Sequence, residues 1–331
     1  MPARKPTGRP SMSDKKLFLF PGAHKTATTL LQASMEVNRP SLEAEGISIA
    51  RRQPFYSTGL HAALKKADGL ASLSRAQIST CLSTVFNGAP KDKIVISVEN
   101  IAGEVRPAPY KSISTVIENL RSLFPEHEMQ VNFYVRRQDT FIESAFVQEY
   151  HVGLRPNLER FIKRFLDRPL DWMRPIVAMS KALTPQQVSV VPYENIREGA
   201  DAYLASFYRI FSEQDPRILF RNYQEKSPFT NVSISRKGIE ILEKSYDVVR
   251  DRQGRRSLAA LLQERFGTDR YPRFKFSGDQ LKRLAEVHRD LNQRLVKRGK
   301  FSPEMATYYL FAARAAAARG GQVSLRPRRE K

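Results

Sequence analysis

The stretch KLFLFPGAHKTATTLLQ, which runs from Lys16 to Gln32, carries the residues of this chain that are best suited to chemistry. A short apolar strand is followed by a tight loop with Gly22 and Lys25, and a helix then opens on Thr28 and Thr29. This order aims loop amides, a lysine and two hydroxyls at one point before a helix N-terminus. Backbone N–H groups and the helix dipole favour an anion there, usually a phosphate. The loop is not a Walker A sequence, because only two residues separate Gly22 from Lys25 and no glycine precedes the lysine.

A second segment with chemical character runs from Met129 to Tyr150 and reads MQVNFYVRRQDTFIESAFVQEY. Its β-rich run ends in Arg136 and Arg137, and the helical stretch that follows carries Ser144. A guanidinium fork and a hydroxyl in this order can hold a phosphate. The chain therefore offers two phosphate-binding motifs, separated by about a hundred residues.

Together these motifs resemble those of the PAPS-dependent sulfotransferases, where PAPS is 3′-phosphoadenosine 5′-phosphosulfate. The form HKTxTT before an amphipathic helix is similar to the family's 5′-phosphosulfate loop. An arginine at a strand end, with a serine eight residues later, is similar to the family's 3′-phosphate signature. The resemblance implies PAPS as the donor, held by the following residues: Lys25, Thr26, Ala27, Thr28, Thr29, Arg136 and Ser144.

The resemblance to bacterial members of the family extends beyond the two motifs. Further matching stretches are Asn38-Arg39, Leu42, Gly46-Ile47, KIVISVEN at 93–100, VSVVPYENIR at 188–197 and FTNVSIS at 229–235. One departure is Ala27, because the family usually has glycine at this position. Alanine makes a close or left-handed backbone passage less easily than glycine does.

Sulfuryl transfer requires that negative charge on the leaving phosphate be stabilised and that a proton leave the acceptor. Lys25 and the loop amides are placed for the first task. Glu99, at the end of the second predicted strand, is the candidate base, because strand carboxyl ends in open α/β sheets face the ligand crevice. Equally open is a Glu99 that caps the next helix or pairs with a surface arginine, and His24 is the second candidate base. The reaction needs no metal, and the five histidines and one cysteine show no metal-ligand spacing.

Strand and helix patterns alternate through about the first two hundred residues and predict an α/β fold, a P-loop-like parallel sheet flanked by helices. The predicted strands are Leu17–Phe20, Ile94–Val98, Val131–Val135 and Val188–Val191, and the predicted helices lie near Thr28–Glu36, Arg75–Phe86, Tyr110–Phe124 and Thr140–Tyr150. No clear strand follows Glu194, and capping signals at Ser277 and Ser302-Pro303 predict a mainly helical C-terminal third. We expect one sulfotransferase-like domain over 15–318, helical from about 200, between basic disordered tails at 1–14 and 319–331.

The composition of the 331 residues fits an enzyme with a sizeable core, since 41% are hydrophobic and no run of about 18 apolar residues exists. The N-terminus lacks the apolar region of a secretory signal. Cys81 is the only cysteine, which excludes an internal disulfide and suits a reducing compartment, so we expect a cytoplasmic location. The formal net charge of +21 would attract an anionic donor and an anionic acceptor. Scattered aromatic residues argue against specific nucleic-acid binding.

These observations predict a sulfotransferase that moves a sulfuryl group from PAPS to an acceptor hydroxyl or amine. A carbohydrate of a bacterial surface polysaccharide or lipid is the acceptor implied at family level. Two alternatives stay open. A nucleotide-dependent kinase or ATPase with a shortened P-loop would need an Mg²⁺-binding Asp at a strand end, where this chain has Val98-Glu99. A non-catalytic polyanion-binding protein on a degenerate sulfotransferase fold finds its support in Ala27.

Overall fold

The computed structural model describes residues 14–22, 25–98, 100, 101, 103, 110–226 and 232–310. The chain divides into two compact units, the first from Met1–Val135 and Arg174–Phe229 and the second from Arg136–Met173 and Thr230–Lys331. The candidate bases His24 and Glu99 lie outside the described residues, as do almost all of the N-terminal tail and the whole of the C-terminal tail predicted from the sequence. The predicted limits of the sulfotransferase-like domain stay a prediction.

The first unit contains a parallel sheet. Its strands are β1 (Lys16–Phe20), β2 (Ile47–Ile49), β3 (Lys93–Ser97), β4 (Glu128–Val135) and β5 (Val188–Pro192). Their order is β2-β3-β1-β4-β5, and every neighbouring pair is parallel. The four predicted strands are confirmed. The prediction that the stretch at 93–100 contains the second strand is wrong in its order, because this strand is the third, β3. The three-residue strand β2 precedes it and is too short to show a pattern in the sequence.

Helices connect and cover the strands. In chain order they are α1 (Thr28–Val37), α2 (Arg39–Ala44), α3 (Arg52–Ser57), α4 (Leu60–Leu64), α5 (Arg75–Phe86), α6 (Ile113–Leu123), α7 (Gln138–His151), α8 (Leu158–Asp167), α9 (Met173–Ala182), α10 (Ala200–Tyr208), α11 (Pro216–Lys226), α12 (Arg236–Lys244), α13 (Arg252–Arg265), α14 (Gly278–Gly299) and α15 (Pro303–Tyr309). Short 3₁₀ turns flank β5 at Pro185–Gln187 and Tyr193–Glu198. The predicted fold class, a parallel α/β sheet flanked by helices with a helical C-terminal third, is therefore confirmed.

One face of the sheet in the first unit is covered by α1, α10 and α11. Its buried cluster is rich in aromatic side chains, and the ring centroids of Phe20 and Phe207 lie 4.7 Å apart. Phe18, Phe20 and Val95 belong to this cluster, which fixes the face that these alternate strand positions occupy. Cys81, on α5, is buried.

The second unit consists of α7, α8 and α12 to α15. Helix α8 is amphipathic and buries Phe161, Ile162 and Phe165. The capping box predicted at Ser277 is present at the start of α14, and the Ser302 side chain caps α15. After β5, the described residues contain no further strand, only an isolated bridge between Ile234 and Gly267.

His288 is fully buried on α14. The backbone N–H of Leu170 donates to its Nε2 at 3.0 Å, and its Nδ1–H donates to the carbonyl of Leu284 at 2.7 Å. Both ring nitrogens are thereby satisfied in the neutral form. Burial lowers the pKa of His288, so this histidine is a structural element of the second unit.

Candidate functional site

The loop that carries Lys25 leaves the carboxyl end of β1, which is the central strand of the sheet. Strands β3 and β4 flank β1, and Phe20 pairs with Ser97 at the end of β3. Ligands of open α/β sheets bind outside the carboxyl ends of the strands. The motif therefore lies at the edge where a ligand site is expected.

The backbone of this loop is turned in an unusual way. Lys25 has φ 66°, and Ala27 has φ 55° and ψ 26°, so both non-glycine residues are left-handed. Left-handed residues in a short turn direct successive N–H groups toward one concave point, an arrangement that binds anions. The left-handed passage that was expected to be less easily made at Ala27 is present, at a cost of roughly 1–2 kcal/mol for an L-residue.

Helix α1 begins directly after this turn. Ala27 is its N-cap residue and makes no side-chain cap hydrogen bond. The first N–H groups of a helix have no hydrogen-bond acceptor within the helix. In α1 the N-cap side chain does not supply one either. The turn and the helix start are thus arranged as an anion site.

Neighbouring elements hold the loop in place. Thr26 is fully buried, and its carbonyl accepts a hydrogen bond of 3.0 Å from the Tyr203 hydroxyl on α10. Burial, reinforced by nearby tyrosines and Glu194, raises the pKa of Tyr203 well above its usual range, so the phenol remains a donor. Thr28 is also buried, and a side chain at Gly22 would meet its methyl group at 2.8 Å. Thr29 is exposed.

Two buried hydroxyl groups flank β1 at the same edge of the sheet. Ser97 ends β3, and Tyr134 lies one residue before the end of β4. Both stand on the face covered by α1, because Tyr134 belongs to that cluster and Ser97 is two residues after Val95. Neither Ser97 Oγ nor Tyr134 Oη has a hydrogen-bond partner within the described ranges. An unsatisfied buried hydroxyl costs about 1–3 kcal/mol, and an anion oxygen or a water in the loop would remove that cost.

Sequence reasoning missed Tyr203, Ser97 and Tyr134. The two strand residues stand in apolar runs, where a hydroxyl gives no separate signal. Tyr203 meets the loop across 177 residues of sequence, a separation that no local pattern reveals.

Arg136, in the second unit, is half-buried and is held at the entrance to α7. Its Nε donates to the Thr140 hydroxyl at 3.1 Å, and its carbonyl accepts a hydrogen bond of 2.7 Å from Trp172 Nε1. Ser144 lies four residues after Thr140 and therefore on the same face of α7. Arg136, Thr140 and Ser144 form a column, which we call the arginine column.

Arg137 has a different environment from its neighbour. Its guanidinium is buried, donates to both carboxylate oxygens of Asp139 at 2.7 and 2.8 Å, and lies 3.8 Å from the centre of the Tyr308 ring. It also donates to the Tyr308 carbonyl at 3.0 Å. Arg137 is therefore a structural residue, which leaves Arg136 as the arginine suited to a ligand.

No group of three or more His, Cys, Asp or Glu that could hold a metal occurs in the part of the chain that the structure describes. Over the same residues, none of the helices combines the length and apolar character needed to cross a membrane.

Of three comparisons with known proteins, only the one with solved structures gives matches. No protein-family model matches the chain, and no curated protein matches it. Among solved structures, it is similar to a sulfotransferase from Alicyclobacillus acidocaldarius, with 11% identity and a TM-score of 0.39 over 75% of this chain and 96% of that one. It is also similar to mouse sulfotransferase SULT7A1 complexed with PAP, with 10% identity and a TM-score of 0.42 over 92% of this chain and 90% of that one.

Both matched proteins are sulfotransferases, the family that the two sequence motifs resemble. At these TM-scores the likeness carries nothing about activity or ligands. The function of this chain is therefore inferred from its own residues.

Proposed function

We propose that this chain is a sulfotransferase that transfers a sulfuryl group from PAPS to an acceptor hydroxyl or amine. The observation that carries the proposal is the left-handed turn at Lys25 and Ala27, set before an uncapped helix at the carboxyl end of the central strand. The turn offers backbone N–H groups and a lysine to an anion. The arginine column adds the second phosphate-binding group that the sequence motif predicts.

The proposal assigns one group of residues to each phosphate-bearing end of PAPS. In the proposal, Lys25, Thr26, Ala27, Thr28 and Thr29 hold the 5′-phosphosulfate. Because the side chains of Thr26 and Thr28 are buried, these residues contribute mainly backbone N–H groups, with Thr29 offering an exposed hydroxyl. Arg136 and Ser144 hold the 3′-phosphate through charge-assisted hydrogen bonds.

PAPS supplies the sulfuryl group when bound. The bond between sulfur and the phosphate oxygen breaks as a bond from the acceptor oxygen or nitrogen to sulfur forms, and adenosine 3′,5′-bisphosphate (PAP) leaves. Lys25 stabilises the negative charge on the leaving phosphate. A base takes the acceptor proton, with Glu99 first and His24 second in the proposal. We further propose that the acceptor is a carbohydrate, that the reaction needs no metal and that the protein is located in the cytoplasm.

The test is nucleotide choice, measured by isothermal titration of the full chain with PAP, AMP and ADP. We expect PAP to bind about 10- to 150-fold more tightly than the other two, because a charged hydrogen-bonding group is worth about 1.5–3 kcal/mol. Arg136→Ala should abolish this preference. The matched control is Arg265→Ala, an exposed arginine of the same unit, which should retain it.

Equal affinity for the three nucleotides would contradict the proposal. Preference for ADP in the presence of Mg²⁺ would support the kinase or ATPase alternative. Binding of none of them, with retained affinity for a polyanion, would support the non-catalytic alternative.

A further inference from the structure

An open depression lies against α3 in the first unit. It has a volume of about 500 Å³ and is lined by Arg52, Gln53, Tyr56 and Ser57. Because 52 and 56, and likewise 53 and 57, are four residues apart, these side chains share one side of the helix. We call this lining together with His61 and Lys65 the α3–α4 face.

The α3–α4 face is positively charged. The segment 46–67 contains four Lys/Arg and one histidine but no Asp or Glu. The carboxylate of Glu36 accepts a hydrogen bond of 2.7 Å from Arg39, and this bond, with a smaller contribution from the charge of Arg51, lowers the pKa of Glu36. The face therefore favours a ligand with negative charge.

Tyr56, which lines the depression, has a buried hydroxyl without a hydrogen-bond partner among the described residues. The Tyr56 ring lies 4.6 Å from the His61 ring, centre to centre. Buried polar groups in native proteins are nearly always satisfied. The Tyr56 hydroxyl therefore has a hydrogen bond still to make, on a residue that lines the depression.

The same face reaches the carboxyl edge of the sheet. His61 Nε2 lies 3.2 Å and Lys65 Nζ 3.1 Å from the Asn100 carbonyl oxygen, three residues after β3. Strand β3 pairs with β1, and the ends of the two strands are in register. The α3–α4 face and the turn at 25–27 before α1, which we call the anion loop, therefore adjoin the same edge of one sheet within one unit.

We propose that the α3–α4 face binds the acceptor of the transfer reaction and that this acceptor is an acidic saccharide. Arg52 meets its carboxylate, Gln53 and Ser57 hydrogen-bond its hydroxyls, and the Tyr56 ring packs against its C–H surface while the Tyr56 hydroxyl gains a partner. This assignment rests on the proposed sulfotransferase function for the chemistry and on the α3–α4 face for the ligand class. It assigns to one surface of the chain the carbohydrate acceptor implied by the sequence resemblance and the anionic acceptor favoured by the net charge.

The experiment measures binding of a fluorescein-labelled hexasaccharide of unsulfated chondroitin, which carries carboxylates, to the full chain by fluorescence polarisation. The same hexasaccharide with its carboxylates reduced to alcohols is the neutral probe. Three variants are compared with the wild type: Arg52→Glu, Tyr56→Phe and, as a charge-matched control at an exposed arginine on α5, Arg75→Glu. Titration with PAP is carried out on every sample.

We expect the acidic probe to bind about tenfold more tightly than the neutral one, and Arg52→Glu to weaken it by about tenfold or more. Arg75→Glu should change its affinity by less than about twofold. Tyr56→Phe should weaken it by about three- to tenfold, as for the loss of one hydrogen bond, without lowering the melting temperature, because the hydroxyl has no partner within the described chain.

Equal affinity for the two probes, or equal effects of Arg52→Glu and Arg75→Glu, would overturn the assignment of this face. If the acidic probe fails to bind while PAP binds normally, the acceptor assignment falls and the proposed function stands. If the probe binds as expected while PAP does not, the α3–α4 face remains a saccharide site and the sulfotransferase proposal falls.

Discussion

The anion loop and the arginine column both present donors suited to a phosphate, but they are held in place by different means. The loop depends on its backbone, with left-handed Lys25 and Ala27 and one distant hydrogen bond from Tyr203. The arginine column depends on side-chain partners, Thr140 and Trp172. The geometry of the loop thus depends on strained backbone dihedral angles, whereas that of the arginine column depends on hydrogen bonds between polar groups. Substitutions should therefore act differently on the two.

The largest effect is expected next to the arginine column, at Arg137. Arg137→Ala leaves Asp139 buried without its charge partner, and breaking a buried ion pair from one side typically costs about 3–5 kcal/mol. Urea unfolding of the full chain measures this loss. The matched control is the neighbouring Arg136→Ala, which removes a bond to Thr140 and should cost about 1 kcal/mol.

Similar losses of stability in these two variants would show that Arg136 is as structural as Arg137. The distinction between them, on which the assignment of the arginine column depends, would then be wrong.

The next effect concerns rate at the anion loop. Lys25→Ala should lower the cleavage of PAPS at saturating donor by about 10²–10³, because Lys25 stabilises charge that develops only as the bond breaks. PAP affinity should fall far less. Lys181→Ala, an exposed lysine of the same unit, is the control and should leave both unchanged. A weakened affinity with a normal rate would make Lys25 an anchor only.

The anion loop could be predicted from the sequence more fully than the arginine column. The β1–loop–α1 unit is local, so its strand, turn and helix are visible in 17 consecutive residues. The supports of the arginine column are distant, since Trp172 lies 36 residues from Arg136. Only the family spacing to Ser144 distinguished Arg136 from Arg137 in the sequence. The physical reason, burial of Arg137 against Asp139 and Tyr308, required the fold.

Two further features are not visible in the residue types of their own segments. Strand β2 has three residues, ISI, which is too few to show alternation. The left-handed angle of Ala27 is masked by its residue type, because alanine normally predicts the helical region. The loop shows that the helical preference of an alanine can be overridden where neighbouring contacts fix the turn.

A smaller effect tests whether the loop stores strain. Ala27→Gly should stabilise the chain by up to about 1 kcal/mol, because glycine accepts positive φ without a steric cost. Ala33→Gly is the matched control within α1, where φ is helical, and it should destabilise by about 0.5–1 kcal/mol. Thermal melting distinguishes the two signs. If both variants are destabilised alike, the loop is not strained at Ala27.

The smallest effect is expected from pH and concerns the second unit. Burial holds the pKa of His288 below its usual range, so the unfolded chain binds a proton more readily than the folded chain. The stability contributed by neutral His288 is then complete above pH about 6.5 and is lost as the pH falls toward the folded pKa. Urea unfolding at pH 7.5 and 5.5 should show a lower midpoint at pH 5.5.

His288→Gln should flatten this pH dependence. His61→Gln is the comparison variant, because burial also lowers the pKa of the half-buried His61 in the first unit. We expect His61→Gln to change the pH dependence of stability less than His288→Gln does, because water still reaches the half-buried His61 ring. An unaltered slope in His288→Gln would remove this histidine from the acid sensitivity of the chain.

The second unit is built from two stretches of chain that leave the ribosome at different times. Helices α7 and α8 are synthesised early, whereas their partners α12 to α15 follow after β5 and α11, and about 140 residues separate the end of α8 from the end of α15. At about 5–20 residues per second, the apolar side of α8 waits on the order of ten seconds for a covering helix, and Arg137 waits longer for Tyr308, which follows it by 171 residues. A nascent chain in this state exposes the surface that chaperones bind. Yield in the cell should therefore depend on translation speed and chaperone supply more than the equilibrium stability of the finished protein would indicate.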